Sequence, residues 1–144
     1  MAQADPNAAL AEAMECVGDR WTLPIVDALL TGPRRFNDLQ ADVQGIAPNI
    51  LSARLKRLAD EGVVLARPYS RRPQRSAYEL TGSGRELAGA LRLLAHWGAA
   101  RSEDVEPPRH DECGTAMEAR WYCPTCARFV EEPHDTETAE LRYV

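Results

Sequence analysis

Apolar residues recur at helical spacing through most of this chain, broken at glycine and proline, and only once does the pattern shift to the shorter period of strands. Residues 8–17 are helix-prone, with Asp5 or Asn7 as a cap, and Gly18 ends the run. Trp21, Ile25 and Leu29, with Val26 and Leu30 beside them, predict a second amphipathic helix over 20–30. Pro24 falls in its first turn, where a missing N–H costs little, and Gly32-Pro33 closes it. A short third helix over 35–43 buries Phe36 and Leu39. Gly45 turns the chain into Pro48, well placed to start a fourth helix over 48–61. There Leu51, Leu55 and Leu58 form one buried stripe, and Gly62 follows as the natural stop. The opposite face carries Asn49, Ser52, Ala53, Lys56 and Arg57. Two β-prone runs, 63–68 and 76–80, flank a tip rich in Arg and Pro and predict a hairpin. Thr81 or Ser83 can cap a long last helix over 84–100, with Leu87, Leu91, Leu94 and Trp97 on one face. His96 and Trp97 there read as packing residues of a dimer seam, and Tyr69 and Tyr78 as packing residues at the hairpin base. A polar stretch containing Pro107-Pro108 reads as a linker, and the acidic end of the chain as a loosely ordered tail.

Helix, turn, helix, then a basic hairpin is an order suited to reading duplex DNA, and the charge distribution agrees. Arg34, Arg35, Arg54, Lys56, Arg57, Arg67, Arg71, Arg72 and Arg75 share one segment with four acids, Asp38, Asp42, Asp60 and Glu61, for a local net charge of +5. The whole 144-residue chain carries −5. Phosphate neutralisation is local, so the acidic average does not exclude nucleic acid. Asn49, Ser52, Lys56 and Arg57 are the candidates for base edges, since Asn pairs bidentately with adenine and Lys or Arg reaches guanine. Arg34 and Arg35 ahead of the third helix, with Arg71, Arg72 and Arg75 at the hairpin tip, are the candidates for phosphates. No apolar run approaches the roughly 18 residues of a membrane helix, and residues 1–10 lack the pattern of a signal peptide. The expectation is a cytoplasmic protein without a membrane partner, its thiols kept reduced.

Cys16, GDRWTLPIV (18–26), GPRRFNDL (32–39), GIAPNILSARLKRL (45–58), and Tyr69, Pro73, Tyr78, Leu80 and Thr81 together resemble the HxlR-type winged-helix regulators. This is a bacterial family related to the MarR regulators, and the likeness spans residues 16–97. It implies a homodimeric transcription factor whose first and last helices make the dimer contacts. It also implies that Cys16 serves, as in some members, as an oxidant or electrophile sensor. The bland alternative is a small buried helix residue. Nearby Glu15 and Asp19 would raise its thiol pKa and Arg20 would oppose them. Where the family carries Ser before the proline of the fourth helix, Ala47 stands here, removing a cap oxygen worth about 1 kcal/mol.

His110-x2-Cys113 and, nine residues on, Cys123-x2-Cys126 place four soft ligands in two pairs. Two intervening residues let both side chains of a pair point into one tight turn, and two such turns complete a tetrahedron around zinc. Gly114 and Pro124 suit the sharp turns, and a strand within 116–122 would bring the pairs together. So small a segment needs a metal to hold it. Full occupancy by protein ligands makes the expected zinc structural, one per chain. Asp111, Glu112 or His134 could replace His110, and Cys123 with Cys126 could instead act as a redox dithiol.

The expected fold class is mostly α with a small β-hairpin wing, a winged helix-turn-helix, plus a small zinc-ribbon-like segment. The expected divisions are a DNA-binding and dimerisation domain over 1–101, a linker over 102–109, the zinc-ribbon-like module over 110–130 and a tail over 131–144. The expected function is a non-enzymatic, sequence-specific regulator, a repressor, whose homodimer reads a palindromic operator on double-stranded DNA with helix 48–61 and the basic wing. A small-molecule or redox effector is left open. The alternative is a protein-protein adapter built from the same two modules without DNA binding.

Overall fold

The computed structural model describes residues 7–130, so Asp5, His134 and the segment 131–144 lie outside it. The chain divides into two compact units, Met1–Leu94 and Ala95–Val144, a boundary that precedes the polar stretch expected as the linker.

In the first unit, α1 spans Ala8–Val17 and ends where the Gly18 N–H donates to the Met14 carbonyl at 2.8 Å. The second helix, α2, covers Thr22–Leu30 rather than 20–30, and the side chain that organises its start is Asp19. Its carboxylate accepts from the N–H groups of Trp21 (2.9 Å) and Thr22 (3.1 Å) and from the Thr22 hydroxyl (2.5 Å), satisfying donors that a helix start leaves unpaired. A two-residue strand, β1 (Arg34–Arg35), precedes α3 (Phe36–Asp42). It is too short to show periodicity in the sequence. The Asp38 carboxylate accepts from the Arg35 N–H at 3.2 Å and closes the first turn of α3.

Helix α4 covers Pro48–Asp60, with Pro48 in its first turn behind an extended, uncapped Ala47 and with Gly62 at φ 72° beyond its end. The hairpin strands β2 (Val64–Arg71) and β3 (Gln74–Leu80) run further than expected, out to a tip at Arg72 and Pro73. They pair antiparallel from Val64↔Leu80 to Arg71↔Gln74, and β1 adds to the other side of β3, giving the order β1-β3-β2. Pro68 is tolerated because β2 is an edge strand.

The expected long last helix is two. The Thr81 hydroxyl accepts from the Gly84 N–H (3.0 Å) and donates to the Gly62 carbonyl (2.6 Å), starting α5 (Gly82–Glu86). At Leu87 the N–H turns to the Gly84 carbonyl, three residues back, and α6 (Ala88–Ala99) follows. Gly82, Gly84 and Gly89 lower the helical preference of this stretch, so tertiary packing of Leu87 decides its course.

Ile25, Val26, Leu39, Leu51, Leu55, Leu58 and Val64 lose essentially all solvent contact, and Leu80 closes the sheet side of this core. Each such side chain contributes about 1.5–3 kcal/mol. Past Val64 and Leu80, Tyr78 still packs against this core; farther out the hairpin leaves it, and its tip is exposed.

In the second unit, β4 (Trp121–Cys123) and β5 (Arg128–Val130) form a two-stranded hairpin, and an isolated bridge joins Arg109 to Ala116. The strand expected within 116–122 begins only at Trp121. Tyr122 and Phe129 face each other across the hairpin edge to face, ring centres 5.5 Å apart. Among the described residues no helix is long and apolar enough to cross a membrane.

Candidate nucleic-acid interface

Because α4 buries Leu51, Leu55 and Leu58, helical geometry turns Asn49, Ser52, Ala53 and Lys56 outward on one exposed stripe. Arg57 lies off that stripe. Its guanidinium donates to the Glu15 carbonyl at the end of α1 and lies 3.6 Å from the Glu61 carboxylate. Arg34 is similarly occupied: it pairs with Asp42 at 3.1 Å, donates to the Thr31 hydroxyl at 2.6 Å and reaches the Pro33 carbonyl at 3.3 Å.

The remaining cations of the basic segment divide the same way. Arg54 sits 3.3 Å from Asp19, close enough for ion pairing but off line for a hydrogen bond, and so ties α4 to the start of α2. Arg67 pairs with Glu79 across the hairpin. Asp19 and Glu79 lie outside the segment in sequence; counting them with its four acids lowers the local charge from +5 to +3. Four of the nine cations are thus answered from within the fold. Among the described residues, Lys56, Arg71, Arg72 and Arg75 make no ion pair, and all four are exposed.

Arg35 takes a third course. Pairing of β1 with β3 carries it beside the wing, where its guanidinium stacks 4.8 Å from the centre of the Tyr69 ring. The ladder shifts register between Pro68 and Ser70, and this bulge re-aims Tyr69. Tyr69 is therefore not the packing residue expected at the hairpin base; it is 47% exposed, whereas Tyr78 packs against the core. Between the start of α3 and the wing lies an open cleft of about 510 Å³ lined by Arg35, Asn37, Tyr69, Gln74, Arg75 and Tyr78. Two cations outnumber the one carboxylate of the lining, Asp38, whose oxygen already accepts from the Arg35 N–H, and with the amide and hydroxyl groups they suit a phosphate backbone. The Arg35–Tyr69 stack has no signature in sequence, because the two positions are joined only by strand pairing.

Asp19, named in the sequence only as a neighbour of Cys16 and not as the cap of α2, holds its carboxyl below the usual range. Its partial burial opposes ionisation, but the Thr22 hydroxyl, the Trp21 N–H and Arg54 outweigh it. Cys16 shifts the other way. Burial, then the negative charge of Glu61, pushes its thiol up, against the opposing pull of Arg57. The direction matches the expectation and Asp19 contributes to it as expected, but Glu61 and Arg57 act in place of Glu15 and Arg20. A raised thiol pKa leaves less of the nucleophilic thiolate at neutral pH, the opposite of the tuning seen in reactive cysteines.

The four expected zinc ligands come together as two pairs rather than one set. His110 Nδ1 lies 3.4 Å from Cys113 Sγ, and Cys123 accepts from the backbone N–H of Cys126. Hydrogen bonds from Thr115 and His110 hold the Cys113 thiol below its ordinary pKa, and those from Cys126 do the same for Cys123. No group of three or more His, Cys, Asp or Glu side chains is assembled for a metal among the described residues.

Comparison with known proteins covers the same region. The profile of the HxlR-like helix-turn-helix family matches residues 16–106. An uncharacterized HTH-type transcriptional regulator of Mycobacterium bovis is 38% identical over 122 residues, 82% of this chain and 77% of that protein. A solved transcription-factor structure from Pseudomonas aeruginosa is 28% identical, covers 89% of this chain and 94% of its own, and superposes with a TM-score of 0.65. A transcriptional regulator of the MarR family from Enterococcus faecalis is 29% identical over 70% of this chain and 92% of its own, at a TM-score of 0.60.

Proposed function

The chain belongs to the HxlR-like helix-turn-helix family, whose curated relatives are HTH-type transcriptional regulators, and from that premise we propose that it is a homodimeric repressor reading a palindromic operator. Each protomer lays α4 in a major groove, with Asn49, Ser52 and Lys56 toward the base edges. The wing follows the neighbouring backbone through Arg71, Arg72 and Arg75, and Arg35 supports it from the cleft. The observation that carries this is the sorting of charge within the basic segment 34–75: there, among the described residues, the exposed cations left with neither an ion pair nor a ring to stack on are Lys56 on the outer stripe of α4 and Arg71, Arg72 and Arg75 of the wing. Dimerisation is supported by apolar side chains that the protomer leaves in water, Leu10 (64% exposed) and Met14 (51%) on α1 and Leu93 and Leu94 on α6. A twofold dimer presents two α4 helices to half-sites about 34–36 Å apart or a multiple of that. Occupancy of a promoter then excludes polymerase.

The test is selection and sequencing of genomic fragments retained by the purified protein, followed by salt titration on the recovered site. Arg71→Ala with Arg72→Ala is expected to weaken binding to every sequence and to lower the slope of log K against log salt by about 2. Lys56→Ala or Asn49→Ala is expected to relax preference at one position by about 1–3 kcal/mol. Failure to retain any DNA at low ionic strength would sink the proposal.

A further inference from the structure

Two turns of the C-terminal unit share one construction. The first lies inside the Arg109↔Ala116 bridge, carries His110 and Cys113, and passes directly into Gly114 at φ 68°. The second is closed by the Cys123↔Arg128 pair, carries Cys123 and Cys126, and passes directly into Ala127 at φ 50°. In each, two residues separate the ligand-type side chains and the left-handed residue follows the second of them. The first turn is tied by the Gly114 N–H to the His110 carbonyl at 2.8 Å, and Cys113 Sγ accepts from the Thr115 backbone N–H. In the second, Cys123 Sγ accepts from the backbone N–H groups of Cys126 and Thr125. Ala127 is the one non-glycine residue at positive φ among those described, a conformation that persists only where its surroundings impose it.

No buried apolar cluster among the described residues of this unit imposes it. Of residues 95–130 only Ala99 is buried, while Trp121 (61%), Tyr122 (53%), Phe129 (60%) and Val130 (51%) stand in water. A two-stranded ribbon of three-residue strands without a core does not hold itself together.

We propose that His110, Cys113, Cys123 and Cys126 bind one zinc ion between these two turns, and that the ion takes the place of a core in this unit. One ion shared by both pairs requires the second turn to lie against the first, so binding is coupled to folding of the ribbon. Three thiols release their protons to solvent and ligate as thiolates, and His110 ligates as the neutral imidazole. With four protein ligands no coordination position remains for water, so the ion is structural.

The full-length reduced protein, dialysed against a weak chelator, is expected to retain one equivalent of zinc per chain. Replacement of zinc by cobalt should give the intense visible absorption of a tetrahedral site together with thiolate-to-metal charge transfer, saturating at one equivalent. Cys113→Ser and Cys123→Ser should each abolish that spectrum while helical circular dichroism is preserved. His110→Ala should shift the visible bands and weaken binding at least tenfold, and His134→Ala should change neither. Less than half an equivalent of zinc, an unchanged cobalt spectrum in Cys123→Ser, or loss of the spectrum in His134→Ala but not in His110→Ala would each overturn the assignment. None of these measurements involves DNA, so failure here is distinct from failure of the regulatory function.

Discussion

The unit Met1–Leu94 and residues 95–130 both contain large apolar side chains, yet they dispose of them in opposite ways. In the first, helices α2, α3 and α4 converge on Val64 and Leu80 at the base of the hairpin, and every leucine of the α4 stripe disappears from solvent. In the second, Tyr122 and Phe129 find only each other, across one pair of very short strands. Apolar content alone does not make a core. Burial needs a second layer, and among the described residues this hairpin of three-residue strands has none to press against.

Substitutions on the two sides of that contrast should separate sharply. Leu55→Ala is expected to destabilise the first unit by about 2–5 kcal/mol in urea denaturation, because it removes contacts and opens a cavity. Phe129→Ala, at 60% exposure, should change stability by less than about 0.5 kcal/mol in the same assay. Equal effects would erase the distinction. Gly84→Ala should come next, at about 1–3 kcal/mol, because a Cβ there would strike the Val63 carbonyl oxygen and crowd Leu80, none of which can retreat cheaply. A neutral outcome would mean that the start of α5 is looser than its packing suggests.

A smaller effect than that of Gly84→Ala belongs to Asp19→Asn, expected to cost about 1 kcal/mol at neutral pH through the weakened cap of α2 and the unanswered Arg54. Its pH dependence is more telling than its size. The folded protein holds the Asp19 carboxyl below its ordinary value, so the stabilisation is complete above the ordinary carboxylate pKa of about 3.9 and is lost as pH falls through the depressed folded value. The variant should therefore show a shallower acid limb than the parent in a series of urea titrations, with the two converging in strong acid.

Most of the helical framework was legible in the sequence, for physical reasons. Leu51, Leu55 and Leu58 could only mean a buried stripe, and the outward turn of Asn49, Ser52 and Lys56 follows from the same geometry. Ala8–Val17 was bounded by Gly18 as expected. What escaped depends on partners distant in the chain. Strand β1 exists because Arg34 and Arg35 meet Tyr78 and Ala77. The break at Leu87 reflects the pull of the core on a glycine-weakened stretch. All nine cations of the basic segment count toward its charge in the sequence, and only the fold reveals that Asp42, Asp19, Glu61 and Glu79 answer four of them, the base-edge candidate Arg57 and the phosphate candidate Arg34 included. The spacing of His110, Cys113, Cys123 and Cys126 was equally plain in the sequence, but spacing does not say whether two turns close on one ion.

That internal cancellation of charge bears on how the molecule would search a chromosome. A surface with every guanidinium free would cling to any stretch of duplex and leave it slowly. Here four of the nine guanidinium and ammonium groups of the basic segment are answered within the fold, so under the proposed function residence on irrelevant sequence would shorten and discrimination would fall to the few side chains still unengaged.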